Sequence, residues 1–402
     1  MIDRFAARKV RDAMSDTPVV VIQGPRQCGK TTLAREVMPD LPYVTLDDSI
    51  ALDAAQRNPK SFLSAYKDGV ILDEVQRAPD LFRSLKAEVD KDRRPGRFLV
   101  TGSSNILLLP KLSESLAGRM EVVPLWPLSQ AEIGGSSTSF IQNLIDGKKP
   151  VGSEPFDRSV LAVGGFPEPV HRATDARRRA WFDAYLKALI ERDVRDIADI
   201  EGLTSLPRLL RMLARQTSDQ LNIAGLSRES GIPHTTLTRY VSLLEAVFLV
   251  WNIPAWQSGL SHRAIKGSRI CFADTGILCT LLGVSPQKLS NDDPLFKQLV
   301  VNFIAMEIRK QAANLEESVE VCHFRSIRQY EVPVVLLFPD GKLIGIDVCE
   351  EDHITPAHLR PLEFLAQVAE DRFAGGCLLH CGTETQAIGE NLWSAPITSL
   401  WS

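Results

Sequence analysis

No stretch of this 402-residue sequence approaches the ~20 consecutive apolar residues that a helix needs to cross a bilayer, so no integral membrane segment is expected. The opening Met1-Ile2-Asp3-Arg4 lacks the basic-then-apolar pattern of a secretory leader, and a cytoplasmic location is expected, with peripheral membrane contact left open. Paired cysteine spacing is missing too: the 7 cysteines are an odd number without a framework, which fits free thiols in a reducing compartment. Cys377-x-x-His380-Cys381 has no second ligand pair and follows an apolar strand pattern, which argues against zinc. An excess of positive charge is absent, since the net charge is −4; this excludes binding nucleic acid through a basic whole surface and leaves only local patches. Disordered and coiled-coil textures are also lacking. At 402 residues and 44% hydrophobic content, the chain exceeds what one core organises and reads as several globular domains.

What is present begins with an apolar run, Val19-Val20-Val21-Ile22, leading into Gly24-Pro25-Arg26-Gln27-Cys28-Gly29-Lys30-Thr31 and a helix opening at Thr31-Thr32-Leu33. Strand, glycine-bearing loop and helix in that order form a phosphate-binding loop of the Walker A type, against the bland alternative of a Gly-rich turn. The backbone of Gly24, Pro25, Arg26, Gln27, Cys28, Gly29, Lys30, Thr31 and Thr32 would surround the phosphates, its N–H groups (Pro25 having none) facing their oxygens, while Lys30 would reach the β- and γ-phosphates and the Thr31 hydroxyl would hold Mg²⁺. Val70-Ile71-Leu72-Asp73-Glu74 then reads as a buried parallel strand ending in two carboxylates, a Walker B pattern. Asp73 would hold Mg²⁺ and Glu74 would polarise the attacking water; two solvated acids at a strand end are the alternative. The strand Arg97-Phe98-Leu99-Val100 ends in Thr101-Gly102-Ser103-Ser104-Asn105, where Thr101 or Ser103 would sense the γ-phosphate unless Gly102-Ser103 is simply a turn. Arg119, after Ser115-Leu116-Ala117-Gly118 and before the strand-like Met120–Leu125, is either an arginine finger, in trans or folded back on its own site, or a surface arginine in an ordinary ion pair.

These residues resemble the prokaryotic AAA-type P-loop ATPases that carry a C-terminal DUF4143 region. Matching pieces are Gly24-Pro25-Arg26-Gln27, Leu46-Asp47-Asp48, Leu72 to Arg77, Thr101-Gly102-Ser103-Ser104 and Leu116-Ala117-Gly118-Arg119. Gly164-Gly165-Phe166-Pro167-Glu168-Pro169, Glu191-Arg192-Asp193-Val194 and Phe272-Ala273-Asp274-Thr275-Gly276 follow in order. The resemblance covers nearly the whole chain. It implies an α/β fold with a parallel-sheet ATPase core, followed by a helical lid, a winged-helix-like domain and a restriction-endonuclease-like α/β domain.

Changes of texture place the ATPase core at 1–135, ending in the Gly/Ser-rich Ile133–Ser139, and a linker with helical lid at 136–215. Within the long helical pattern Ala176–Ile200, Arg177-Arg178-Arg179 reads as a solvated face, and Arg192 and Arg195 as helix arginines paired with neighbours. Residues 216–288 hold a helix-turn-helix pattern, Leu221 to Tyr240 with its turn at Gly231, followed by apolar Val241–Val250. Its second helix would present His234, Thr235, Thr236 and Arg239 either to DNA or to a protein. Residues 289–402 open with a helix, Leu295–Gln311, and continue into strands at Val319–Phe324, Val332–Phe338 and Leu343–Val348. Relatives of this nuclease-like module pair carboxylates on a metal and use a lysine to activate water. Here Pro333 stands where the second acid belongs and Cys349 where the lysine belongs, so Asp347 is left without its partners and nuclease activity is not expected unless Glu350, Glu351 or Asp352 compensates.

The sequence therefore points to a Mg²⁺-dependent ATP hydrolase, binding ATP and ADP and acting on an unidentified protein or nucleic-acid partner. A DNA-processing ATPase and a non-hydrolysing nucleotide switch are the alternatives. Homo-oligomerisation is expected only if Arg119 acts in trans.

Overall fold

The computed structural model describes residues 2–105, 118–136, 140–152, 154–197, 205–257, 267–289 and 293–402. The chain divides into two compact units: residues up to Leu128 together with Leu244–Leu249, and Ser129–Leu243 with Val250–Ser402. Leu244–Leu249 joins the first unit because the Asn105 N–H donates to Ala246 O at 2.7 Å and the Phe248 ring packs edge-on against Trp126 at 5.7 Å. No composition signal marks this short apolar segment as separate from the helix before it.

The first unit is a five-stranded, wholly parallel sheet in the order β2-β3-β4-β1-β5. Its strands are β1 Val19–Gln23, β2 Tyr43–Thr45, β3 Val70–Asp73, β4 Phe98–Gly102 and β5 Met120–Pro124. β1, β3 and β4 are buried throughout, which is why they read as unbroken apolar runs. Alternation along β1 divides the core. Val20 and Ile22 pack with helices α1 (Ala6–Asp16) and α2 (Lys30–Val37), while Val19 and Val21 pack with α3 (Ser49–Arg57), α4 (Pro59–Ser64) and α5 (Leu81–Lys91). After β1 the chain crosses to the far edge at β2 and returns through β3 and β4, so that the carboxyl ends of β1, β4 and β3 lie side by side.

The second unit combines helices with a six-stranded sheet in the order β12-β13-β11-β10-β9-β8 and a two-stranded pair, β6 Val250–Ile253 with β7 Arg269–Phe272. The expected meander forms β8 Glu320–Arg325, β9 Glu331–Leu337 and β10 Leu343–Cys349, all antiparallel. A crossover helix, Pro356–Ala369, then leads to β11 Phe373–His380 parallel to β10, and β13 Leu392–Pro396 adds parallel to β11, with β12 Gln386–Gly389 at the edge. Helix Pro294–Ala312 buries nearly every side chain from Phe296 onward.

Two motifs of the second unit meet inside it. The buried Asp274 carboxylate accepts the N–H of Gly165 at 2.6 Å and those of Gly276 and Ile277 at 2.8 and 3.2 Å, so it caps helix Thr275–Leu282 and staples a distant turn to it. Gly164 lies at φ 68°, and a Cβ there would sit 2.3 Å from Asp274 Oδ1, so this turn admits only glycine. The GGFPEP and FADTG signatures thus serve packing. In the Arg177–Arg179 run Arg177 and Arg179 are exposed, while Arg178 is half-buried and pairs with Asp175 at 2.7 Å.

Candidate nucleotide site

The loop after β1 closes tightly. A Cβ on Gly24 would meet Leu125 O at 1.9 Å, and Gly29 holds φ 101°, so both positions require glycine for different reasons. Between them Pro25 is buried, Arg26 half-buried and Gln27 exposed with φ 61°. Arg4 clamps the loop from outside, donating to Cys28 O at 2.7 Å and to Trp126 O at 2.6 Å. The Cys28 thiol is wholly buried and reaches Leu125 O at 3.3 Å; burial pushes its pKa up, against a pull from Lys30 and Arg4. Lys30 begins α2 with its side chain only 4% exposed, and its ammonium donates to the loop carbonyls of Gly24 and Pro25 at 3.1 and 2.8 Å. Thr31 is half-buried beside it and Thr32 faces solvent.

Asp73, at the end of β3, gathers three hydroxyls. Thr31 Oγ1 donates to its two oxygens at 2.9 and 3.1 Å, Tyr43 Oη donates at 2.7 Å, and Thr101 Oγ1 from the neighbouring β4 donates to Oδ1. The Tyr43 hydroxyl is pushed up to about 12, first by desolvation and then by its bond to this carboxylate. Glu74 leaves the strand with φ 57°, a left-handed residue that turns the chain into the one-turn helix Val75–Arg77 and directs its side chain toward β4. There Gln76 Nε2 donates both to Glu74 Oε2 and, at 2.8 Å, to Ser103 Oγ, while Ser103 Oγ donates to Glu74 Oε2 at 3.1 Å. The Glu74 N–H donates to Thr101 Oγ1 at 3.3 Å.

Lys30, Thr31, Asp73, Glu74, Thr101 and Ser103 thus converge where the carboxyl ends of β1, β4 and β3 meet. A hydroxyl and a carboxylate 2.9 Å apart form a hard-oxygen donor pair that suits Mg²⁺, and a buried lysine whose ammonium is held by loop carbonyls suits a phosphate chain.

Arg119 is not among these residues. β5 runs parallel to β1 with Met120 beside Val19 and Pro124 beside Gln23, so Arg119 lies at the opposite, amino-terminal end of the strands, about 20 Å from Gly24 at ~3.3 Å per residue. Its guanidinium pairs with Asp90 on α5 at 2.6 Å and holds that carboxyl below its ordinary range. The option of Arg119 folding back on its own site is therefore corrected by the strand register. Ser115, Leu116 and Ala117, the rest of that motif, lie outside the described residues.

Three residues at the site went unassigned from sequence. Tyr43 sits on β2, two strands from β4, and nothing local announces that it reaches Asp73. Gln76 follows the paired carboxylates by two positions and could have been singled out there. Arg4 acts through the fold alone.

A strand-loop-helix with a buried lysine, backed by a carboxylate and hydroxyls on adjacent parallel strands, defines a P-loop NTPase fold. Family models agree along the chain: an AAA domain over residues 16–134, domain of unknown function DUF8612 over 158–288, and domain of unknown function DUF4143 over 296–400. The chain thus carries an AAA domain followed by a C-terminal DUF4143 region, the arrangement of the P-loop family that its motifs resemble. It is 32% identical over 292 residues to uncharacterized proteins of Mycobacterium tuberculosis and Mycobacterium bovis, a match that covers 72% of this chain and 62% of each relative's length. Among solved structures it is similar to the Walker-type ATPase of Pyrococcus abyssi, with TM-score 0.45 and 14% identity over 70% of this chain and 96% of that one. The RuvB Holliday junction branch migration motor of Thermotoga maritima gives TM-score 0.29 and 17% identity over 63% and 90%. Among the described residues no helix is long and apolar enough to cross a membrane.

Proposed function

We propose that the first unit binds ATP with Mg²⁺ and hydrolyses it, and that the change of nucleotide state acts on a protein partner through the rest of the chain. The observation that carries this reading is the contact of Thr31 and Thr101 with Asp73, with Glu74 next in the chain. Mg²⁺, when bound, would neutralise negative charge that develops on the phosphates. Thr31 and Asp73 supply its oxygen ligands. Lys30 turns its ammonium from the carbonyls of Gly24 and Pro25 to the phosphates, and the backbone from Gly24 to Thr32 surrounds them. Glu74 orients the attacking water and takes its proton, with Gln76 and Ser103 fixing the carboxylate beforehand. Thr101 or Ser103 senses the γ-phosphate. Arg119 completes the charge shell only if a second copy of the chain presents it, which would make the active form an oligomer.

The cytoplasm is the proposed location, supported by seven cysteines that are all free and buried. The helices of 136–215 serve as the lid in this reading. The carboxy-terminal module acts in assembly, as a nuclease-like fold without nuclease activity. One step beyond the Ile346–Val334 pair, β10 and β9 set Asp347 opposite Pro333, and the buried Cys349 thiol, pushed up to about 11 by desolvation, lies 3.5 Å from His358 Nδ1. Glu350 pairs with Lys297 at 3.2 Å. Among the described residues no group of three or more metal-holding side chains forms there, and Lys297 is engaged by Glu350.

A DNA-acting ATPase is the second reading. It is supported by helices Ile223–Ser230 and His234–Ala246, which flank a turn with Gly231 at φ 75° and precede the β6–β7 pair, the order of a winged helix. Binding of a fluorescent ATP analogue tests the common part: Lys30→Ala should lower affinity at least tenfold, and unchanged affinity would refute the placement of the phosphates.

A further inference from the structure

Surface arginines in this protein are often paired, as Arg57 is with Asp53, Arg77 with Asp47 and Arg172 with Glu168. Helix Leu206–Arg215 breaks that habit. Its sequence, LPRLLRMLAR, contains three arginines and no acid, and it buries Leu206, Leu209, Leu210 and Leu213 while Arg208, Arg211 and Arg215 are exposed. Spacings of three and four residues put these three on one stripe, rising about 10 Å along the axis. Like charges at these spacings repel one another, so the stripe is unfavourable in isolation.

The stripe joins the helix-turn-helix. Arg208 Nη2 reaches Glu229 O at 3.5 Å, on helix Ile223–Ser230, and the exposed Arg228 and Arg239 lie on the two helices of the pair. Among the described residues Arg211, Arg215, Arg228 and Arg239 have no hydrogen-bond or ion-pair partner. Of the nearby acids, Asp219 accepts a bond from Gln298 at 3.0 Å, and Glu229 is exposed. Next in the chain after helix Ile223–Ser230 and Gly231, the amino-terminal part of helix His234–Ala246 exposes His234, Thr235 and Thr238, polar side chains suited to a groove.

We infer that Arg208, Arg211 and Arg215 form a phosphate-binding stripe that holds the backbone of duplex DNA while helix His234–Ala246 faces a groove. This rests on the DNA reading of the helix pair and is independent of ATP turnover. Along one strand of duplex DNA a phosphate recurs every ~3.4 Å, so a stripe about 10 Å long follows about three phosphates, one for each guanidinium. An acidic protein would satisfy the charges but gives no role to the exposed polar residues of helix His234–Ala246.

The test uses the full chain, a labelled random-sequence 25-base-pair duplex and fluorescence anisotropy between 50 and 200 mM salt. Wild type is compared with R208Q/R211Q/R215Q and with T235A/T238A. Losing three phosphate contacts should lower the slope of log K against log salt by about 2.7, so that the triple variant loses about 40-fold less affinity than wild type across that salt range. T235A/T238A should weaken binding with little change of slope, and basal ATP turnover should be unchanged in all three proteins. A wild type that fails to bind duplex refutes this inference together with the DNA reading. Wild-type binding with an unaltered slope in the triple variant refutes the stripe alone. Equal, equally salt-sensitive binding of polyglutamate would assign the stripe to an acidic partner and overturn the proposal.

Discussion

Replacing Asp347 by asparagine should stabilise the protein in alkaline solution and much less in acid. Asp347 is 7% exposed on β10, and loss of hydration pushes its carboxyl from the ordinary 3.8 up to about 7, against the pull of the Val348 N–H, Lys297 and Arg269. The folded state therefore keeps this proton through a window, pH 4 to 7, in which the unfolded chain has already released it. Because the folded state binds more protons there, stability falls as pH rises through the window and is lowest above pH 7. At ~1.4 kcal/mol per unit, the two units between pH 5 and 7 correspond to about 2.7 kcal/mol. Asparagine has no such titration and keeps an oxygen for the Val348 N–H, which now donates to Oδ1 at 2.8 Å. Urea unfolding of both proteins at pH 5 and pH 8 gives the double difference, in which other titrating groups cancel. The stability gap should widen by about 2.7 kcal/mol toward pH 8. An equal gap at both values would show that the carboxyl ionises normally and is as fit to hold a metal as an exposed acid.

Asp274→Ala should cost about 2–4 kcal/mol in urea unfolding, the sum of a lost helix cap and a buried, unpaired Gly165 N–H, and a loss below 1 kcal/mol would refute the staple. Cys28, despite its place in the phosphate loop, should resist iodoacetamide at pH 8 in the native protein and react after denaturation, as mass spectrometry would show; rapid native labelling would contradict its burial and raised pKa. Arg119→Ala should leave the turnover of dilute, monomeric protein unchanged, because the strand register keeps this residue from its own loop. A loss at high dilution would contradict that separation.

The parallel core was legible because its strands are buried on both faces, which makes Val19–Ile22, Val70–Leu72 and Phe98–Val100 continuous apolar runs, and because Gly24 and Gly29 mark a loop no other residue fits. Thr31, Asp73 and Thr101 could be expected near one another since each ends or follows such a strand. Contacts made across the sheet were not legible. Tyr43 reaches Asp73 only because β2 lies beside β3, and Arg119 is withdrawn from the loop only because β5 pairs parallel to β1 in a particular register. In the carboxy-terminal module the meander was visible as alternating apolar segments. The parallel β11 and β13 were not, because their place depends on the crossover helix Pro356–Ala369 returning the chain to β10. GGFPEP and FADTG read only as pieces matching the family, and the structure gives two of their glycines a packing reason: Gly164 lies against the Asp274 carboxylate and Gly276 against the Phe182 ring.

Steady-state ATP hydrolysis with Mg²⁺, comparing wild type with Glu74→Gln, tests the central claim most directly. The glutamine is nearly isosteric and leaves Lys30, Thr31 and Asp73 in place, so nucleotide affinity should be retained while turnover falls about 10²–10⁴-fold, the range of a lost general base. Turnover that survives Glu74→Gln undiminished would contradict the assignment of the water-activating carboxylate, and with it the proposed route of hydrolysis.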